Sequence, residues 1–267
     1  FVRTPHKMGP VTMHDTMLWD GLTDIFSQKH MGLTAEALAE SYNFSRRDLD
    51  EFAATSQAKA CAAIEAGYFQ AEIVPVAVPQ RKGDPLEFKV DEHPRAGSTV
   101  EVLAKLRPAF KEGGVVTAGN ASGINDGAAA LVLASEELVK KHQLRPLARV
   151  VSSATTALDP WLMGLGPVEA TRKALHKANW MVSDLDLIEL NEAFASQALA
   201  CIKDLELDPQ KVNIQGGAIA LGHPIGASGA RILTTLIYAL RRTGGKRGLA
   251  TLCVGGGMGV AMCVELV

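Results

Sequence analysis

The sequence predicts an α/β fold: a mixed sheet layered with helices, preceded by an irregular α+β section. Three observations predict it. From Leu147 onward, strand-like and helix-like runs alternate. The last two strands, 247–254 and 258–266, are joined only by Gly255-Gly256-Gly257, so they pair antiparallel. Residues 1 to about 115 keep no such rhythm and are rich in prolines and turn residues.

Residues 1–33 read as irregular, with Pro5, Pro10 and several glycines. A helix is expected from Thr34, a good N-cap. Ser45-x-x-Asp48 reads as a capping box opening a second helix, with apolar positions at Leu49, Phe52, Ala53, Ala60, Ala63 and Ile64 and a stop at Gly67. Residues 71–79 read as a strand interrupted by prolines, hence an edge strand or an extended arm. Ser98-x-x-Glu101 is expected to cap a short helix ending before Pro108.

Val115-Val116-Thr117 leads into a Gly/Asn/Ser turn, and a strand is expected at 128–134. Ser135 caps a helix over Glu136–His142. Then follow strand 147–154, helix 167–179, strand 186–190, helix 192–205, strand 211–214 and helix 227–242. This alternation implies parallel strands covered by helices on both faces.

Composition narrows the function. The 267 residues suit one large domain or two medium ones, and 47% are apolar, enough for a sizeable core. No apolar run approaches the ~20 residues of a membrane-spanning helix. A net charge of −2 and a pI near 6.4, with no basic stripe, argue against nucleic acid as partner. Cys61, Cys201, Cys253 and Cys263 lack a C-x-x-C spacing and lie among apolar residues, which fits a reducing compartment and argues against disulfides or zinc. A cytoplasmic location is expected on that ground, with a mitochondrial or peroxisomal one left open. The start Phe1-Val2-Arg3-Thr4-Pro5 has no initiator methionine and no signal-peptide pattern, so the chain is expected to begin mid-protein.

The chemistry centres on residues 212–229. Gly216, Gly217, Gly222, Gly226 and Gly229 make the backbone turn tightly around His223, just before a helix. Alone, this is either a site or a structural crossover with a satisfied histidine. In open α/β sheets, ligands sit at the carboxyl ends of strands. Asn191, His223 and Cys253 all fall at such ends, on one edge. A thiol there can be a nucleophile or a proton carrier. The N–H groups of Gly255 and its neighbours suit an acyl oxyanion. The imidazole can accept or donate a proton near neutrality. The Asn191 amide can only orient a water or a backbone group. Glu192 at a helix start is a functional carboxylate, or a solvated or capping one. The glycines form neither a Walker loop nor a G-x-G-x-x-G fingerprint.

Three segments together carry a resemblance. Asn191-Glu192-Ala193-Phe194-Ala195, Gly222-His223-Pro224-Ile225-Gly226-Ala227-Ser228-Gly229 and Cys253-Val254-Gly255-Gly256-Gly257-Met258-Gly259 resemble the Asn-Glu-Ala-Phe, Gly-His-Pro and Cys-x-Gly motifs of thiolases. Ala118-Gly119-Asn120-Ala121-Ser122-Gly123 resembles that family's coenzyme A loop. His30-Met31-Gly32 resembles the acetoacetyl-CoA members, whose methionine shapes a short acyl pocket.

The resemblance implies the thiolase fold, with residues 1–115 as loop domain, 116–145 as the return into the N-terminal domain and 146–267 as the C-terminal domain. It implies ping-pong acyl transfer: condensation of two acetyl-CoA to acetoacetyl-CoA, and the reverse thiolysis. Cys253 is then the acid/base cysteine, His223 activates a nucleophilic cysteine, Asn191 holds a water in an oxyanion hole and Gly255 supplies a second hole. Ser122, Arg95, Phe110, Ala118, Met163 and Phe194 match coenzyme A contacts, and Met31 and His30 line the acyl end. The resemblance implies no cofactor or metal, coenzyme A thioesters as substrates, and a homo-oligomer, dimer or tetramer. The nucleophile's motif is not found here, and Cys61 does not match it. The chain is therefore expected to be inactive and unstable without the missing N-terminal half. The alternatives are a degradative 3-ketoacyl-CoA thiolase and a non-catalytic fragment that binds coenzyme A or a partner protein.

Overall fold

A computed structural model describes residues 8–10 and 12–267. The expectation for residues 1–7 and 11 lies outside the described residues. A π-helical turn, Met17–Leu22, precedes the antiparallel pair β1 (Thr23–Asp24) and β2 (Lys29–His30). Helix α1 spans Gly32–Tyr42, two residues ahead of the expected start. Thr34 does not cap it. The N–H groups of Thr34 and Ala35 both donate to Met31 O, so the winding begins at Met31.

Helix α2 (Arg46–Glu65) opens as expected: Ser45 accepts from Asp48 N, and Ser45 N donates to Asp48 Oδ2. It closes where Gly67 takes φ 72° and Tyr68 N donates to Ala63 O. The proline-bounded segment forms a hairpin, β3 (Val76–Val78) with β4 (Leu86–Phe88), exposed at all six positions. The short helix α3 (Val100–Leu103) is capped by Thr99, not Ser98, which instead donates to Arg95 O.

The strand expected at 128–134 does not form. Its chain has no ladder partner among the described residues, and Val132 and Leu133 are 95% and 78% exposed. Strand propensity alone does not make a strand, because the backbone N–H and C=O groups need a neighbouring chain. Helix α4 (Glu136–Lys141) follows, capped by Ser135 as expected.

Beyond it lies one layered unit. Its elements are β5 (Ala148–Ala157), a 3₁₀ segment Pro160–Leu165, α5 (Gly166–Ala178), β6 (Leu187–Leu190), α6 (Ala195–Asp204), α7 (Ala218–Leu221), α8 (Ser228–Thr243), β7 (Arg247–Val254) and β8 (Met258–Leu266). The sheet order is β5-β8-β7-β6, and only β6–β7 is parallel. Expected strand 211–214 shrinks to one parallel bridge, Val212 to Ile188. Asn213, at φ 45°, turns the chain off the sheet edge. Helix α6 starts three residues later than expected, since Phe194 is extended (φ −144°, ψ 148°) and bridges Ala121.

Period-two alternation sorts the sheet's side chains. Ile188, Leu190, Leu249, Ala261 and Cys263 join α5 and α6 in one core. Leu187, Ala250 and Val264 meet Ile232, Leu233, Leu236, Ile237 and Leu240 of α8 in another. Each large aliphatic buried there contributes roughly 1.5–3 kcal/mol of gross stabilisation. The two faces hold the carboxyl ends of β6 and β7 side by side.

Candidate active site

Asn191 directly follows β6, and its N–H donates to Thr251 O of β7 at 3.0 Å. Cys253 lies one pleat further along β7. The chain from Val212 returns through α7 to His223, whose N–H is held by Gly123 O and Asn125 Oδ1. The structure thus brings Asn191 and His223 together: Asn191 Nδ2 lies 3.4 Å from His223 Nε2.

The other ring nitrogen fixes the tautomer. His223 Nδ1 lies 2.6 Å from Ser228 Oγ, and that hydroxyl already donates to Pro224 O at 3.0 Å. With its one hydrogen committed, Ser228 accepts, so Nδ1 carries the proton and Nε2 keeps its lone pair. Burial, and secondarily the charge of Arg231, lower the His223 pKa to about 4. His223 is a neutral imidazole at pH 7, competent as a base. Asn191 Oδ1 is buried with no hydrogen-bond partner among the described residues. A carbonyl so placed suits a water or a ligand donor.

Glu192 is neither solvated nor at the start of α6. It is 1% exposed. It accepts from Ser56 Oγ (2.7 Å), Asn213 Nδ2 (2.8 Å) and Ile219 N (3.2 Å). Its carboxyl therefore ties α2, the turn at Asn213 and the N-terminus of α7 into one joint beneath Asn191. Burial raises its pKa. Gly217 must lack a side chain, because a Cβ there would collide with this carboxylate.

Cys253 is 8% exposed, and burial pushes its thiol up to about 11, so it is protonated at neutral pH. No hydrogen bond joins its sulfur to His223 or Asn191 among the described residues. The turn behind it needs Gly256 and Gly257, at φ 83° and 80°. Met31 reaches this turn: its Cε packs over Gly255. Cys201 and Cys263 are core residues, and Cys201 Sγ donates to Gly164 O. Cys61 is half-buried on α2.

The other expected binding residues form two groups. His30 stacks on Phe110 at 4.7 Å, and Phe110 meets Phe194 edge-on at 6.1 Å. Ser122 N donates to Ala193 O, placing the 118–123 turn against Phe194. Ala118 is exposed at that turn. Met163 is 4% exposed in the 3₁₀ segment. Arg95 stands apart and exposed, its backbone N–H held by Gln57.

Sequence reasoning missed Ser228, Asn125 and the reach of Glu192. Ser228 had a local signal, five residues after the histidine at a helix start. Asn125 had none, being far from His223 in sequence.

Two family profiles cover the chain: "Thiolase, N-terminal domain" matches residues 2–137 and "Thiolase, C-terminal domain" matches 144–266. The acetyl-CoA acetyltransferase of Allochromatium vinosum is 56% identical over 98% of the chain, and that of Pseudomonas aeruginosa 58% over 97%. These alignments cover 67% and 66% of the relatives' lengths, so the chain spans about two thirds of the proteins it matches. The crystal structure of Bacillus anthracis acetyl-CoA acetyltransferase superposes with a TM-score of 0.95 at 49% identity, covering 99% of this chain and 67% of that one. Human mitochondrial 3-ketoacyl-CoA thiolase in complex with CoA gives 0.91 at 44% identity, covering 100% and 66%. With its strand-end asparagine, neutral histidine and buried thiol on one sheet edge, and with both halves matched by family profiles, the chain belongs to the thiolase family.

Proposed function

We propose that the protein containing this chain is an acetyl-CoA C-acetyltransferase, condensing two acetyl-CoA to acetoacetyl-CoA and coenzyme A, and running the reverse thiolysis. The observation that carries this is the neutral His223, held between Asn191 and Ser228, together with a buried, protonated Cys253 near the end of β7. The relatives at 54–58% identity bear the acetyltransferase name, which favours it over degradative 3-ketoacyl chemistry. No metal or cofactor enters this reaction scheme; coenzyme A thioesters are its substrates.

In this reading, His223 Nε2 takes the proton of a nucleophilic cysteine, which attacks the thioester carbonyl of the first acetyl-CoA. The acetyl group moves to that cysteine, and coenzyme A leaves with the proton of the Cys253 thiol, so that Cys253 becomes a thiolate. None of the four cysteines here hydrogen-bonds His223 among the described residues, so the nucleophile is assigned to the third of the relatives' length this chain does not span. The Cys253 thiolate then takes a methyl proton from the second acetyl-CoA. The resulting carbanion attacks the acetyl-enzyme, forming the C–C bond and releasing the nucleophilic thiolate. His223 and the water on Asn191 stabilise one thioester oxyanion, and Gly255 N–H helps the other. Phe110, Phe194, Met163, Ala118 and Ser122 embrace the pantetheine arm, Arg95 faces the nucleotide end, and Met31 with His30 shortens the acyl pocket. A homo-oligomer is part of the proposal.

The test uses a chain of the relatives' full length. Cys253→Ala should abolish condensation while acetyl transfer to the enzyme, read by mass, persists. Normal condensation by that variant would overturn the assignment. Turnover of acetoacetyl-CoA against longer 3-ketoacyl-CoA thioesters separates the two subtypes.

A further inference from the structure

The mechanism leaves one buried carboxyl–guanidinium pair unused. Glu189 is the third residue of β6, two positions before Asn191. Arg231 lies on α8, one turn beyond Ser228, and residues three apart share a helix face. Their side chains are 3% and 20% exposed, with Arg231 Nη1 3.5 Å from Glu189 Oε2. The contact is a salt bridge without hydrogen-bond geometry. Glu189 Oε2 and Arg231 Nε and Nη1 are all buried without hydrogen-bond partners among the described residues. Glu72 and Asp91 also face Arg231, and Glu192 and Lys59 also act on Glu189.

Such a pair is a poor source of stability, since desolvation offsets its attraction and well-packed apolar side chains often do as well. Its consequence is geometric. Each partner sits on the element that carries one of the two side chains holding His223. On β6 the order is Glu189, then Asn191 on Nε2. On α8 it is Ser228 on Nδ1, then Arg231.

We infer that Glu189 and Arg231 are positioning residues: their pairing clamps the end of β6 to the first turn of α8 and so sets the gap in which His223 is held between Asn191 and Ser228. This rests on the proposed acyl transfer only for its kinetic consequence. Misplacing a catalytic group by about 1 Å can cost about 100-fold in rate.

The test is made in a chain of the relatives' full length. The Glu189→Met/Arg231→Met double variant fills the space with apolar side chains. Its melting should stay near that of the parent. The Nδ1–H proton of His223, followed by NMR and identified by its loss in His223→Asn, should leave the strongly hydrogen-bonded downfield region. The kcat should fall about 10- to 100-fold with KM nearly unchanged, and Arg231→Lys, which keeps the pair, should retain most of it. An unmoved Nδ1–H signal in a folded double variant overturns the clamp. A displaced signal in a protein without acyl-transfer activity upholds the clamp and sinks the proposed function instead. Should the double variant not fold, Arg231→Gln, which removes the guanidinium and shortens the side chain, carries the same NMR outcomes.

Discussion

Replacing Glu192 by alanine should cost more than any surface change, and the structure sets the amount. Three donors lose their acceptor: Ser56 Oγ, Asn213 Nδ2 and Ile219 N. Ser56 Oγ cannot turn elsewhere freely, since its lone pair already accepts Gly217 N at 3.0 Å. Asn213 keeps one amide bond, to Leu190 O, and loses the other. Each buried donor left without a partner costs about 1–3 kcal/mol. The sum for three is about 3–9 kcal/mol, a large share of a typical total of about 5–15 kcal/mol. Glu192→Gln keeps the shape and one acceptor oxygen, and should cost about half as much. Urea unfolding of a chain of the relatives' full length, followed by circular dichroism, measures both. If Glu192→Ala unfolds within about 1 kcal/mol of the parent, the joint beneath Asn191 is not held as described.

Two further predictions concern His223. Its pKa is lowered from 6.5 to about 4, so its contribution to stability is fully present above pH 6.5 and is lost as pH falls through about 4, worth roughly 3 kcal/mol. Glu189, raised from 4.5 to about 8 chiefly by burial, acts in the opposite sense: its contribution is present below 4.5 and lost as pH rises through 8. Urea titrations at several pH values should therefore show that His223→Asn removes the acid-side loss, and identical pH slopes for variant and parent would contradict the buried neutral imidazole. Ser228→Ala should lower kcat about 10- to 100-fold with KM little changed, because Nδ1–H loses its acceptor and the ring is free to take the wrong tautomer. Steady-state kinetics decide this, and an unchanged kcat would remove Ser228 from the site.

The contrast between hits and misses is a contrast of range. Ser45 with Asp48, Ser135 with Leu138 N, and the β7–β8 hairpin were legible because their partners lie within a few residues. The expected caps at Thr34 and Ser98 missed by three residues and by one: the backbone carbonyl of Met31 starts the first helix, and the hydroxyl of Thr99 caps the other. The expected strands at 128–134 and 211–214 failed for a different reason: pairing depends on a chain elsewhere, which one lacks and the other meets at a single bridge. Among site residues, motifs placed Asn191, His223 and Cys253 on one edge, whereas Asn125 and Ser56, distant in sequence, left no trace.

By itself, then, the sequence determined the α/β class, the boundaries of β7 and β8, and the places of Asn191 just after β6 and Cys253 near the end of β7. Alternation and short-range capping are local physics, readable residue by residue. Only the tertiary structure decided which nitrogen of His223 carries the proton, that Glu192 is a buried joint and no solvated cap, and that Glu189 meets Arg231. Those facts follow from burial and from hydrogen bonds between segments up to about 160 residues apart, such as Ser56 and Gly217. Desolvation makes each unpaired group costly, and that cost fixes the geometry.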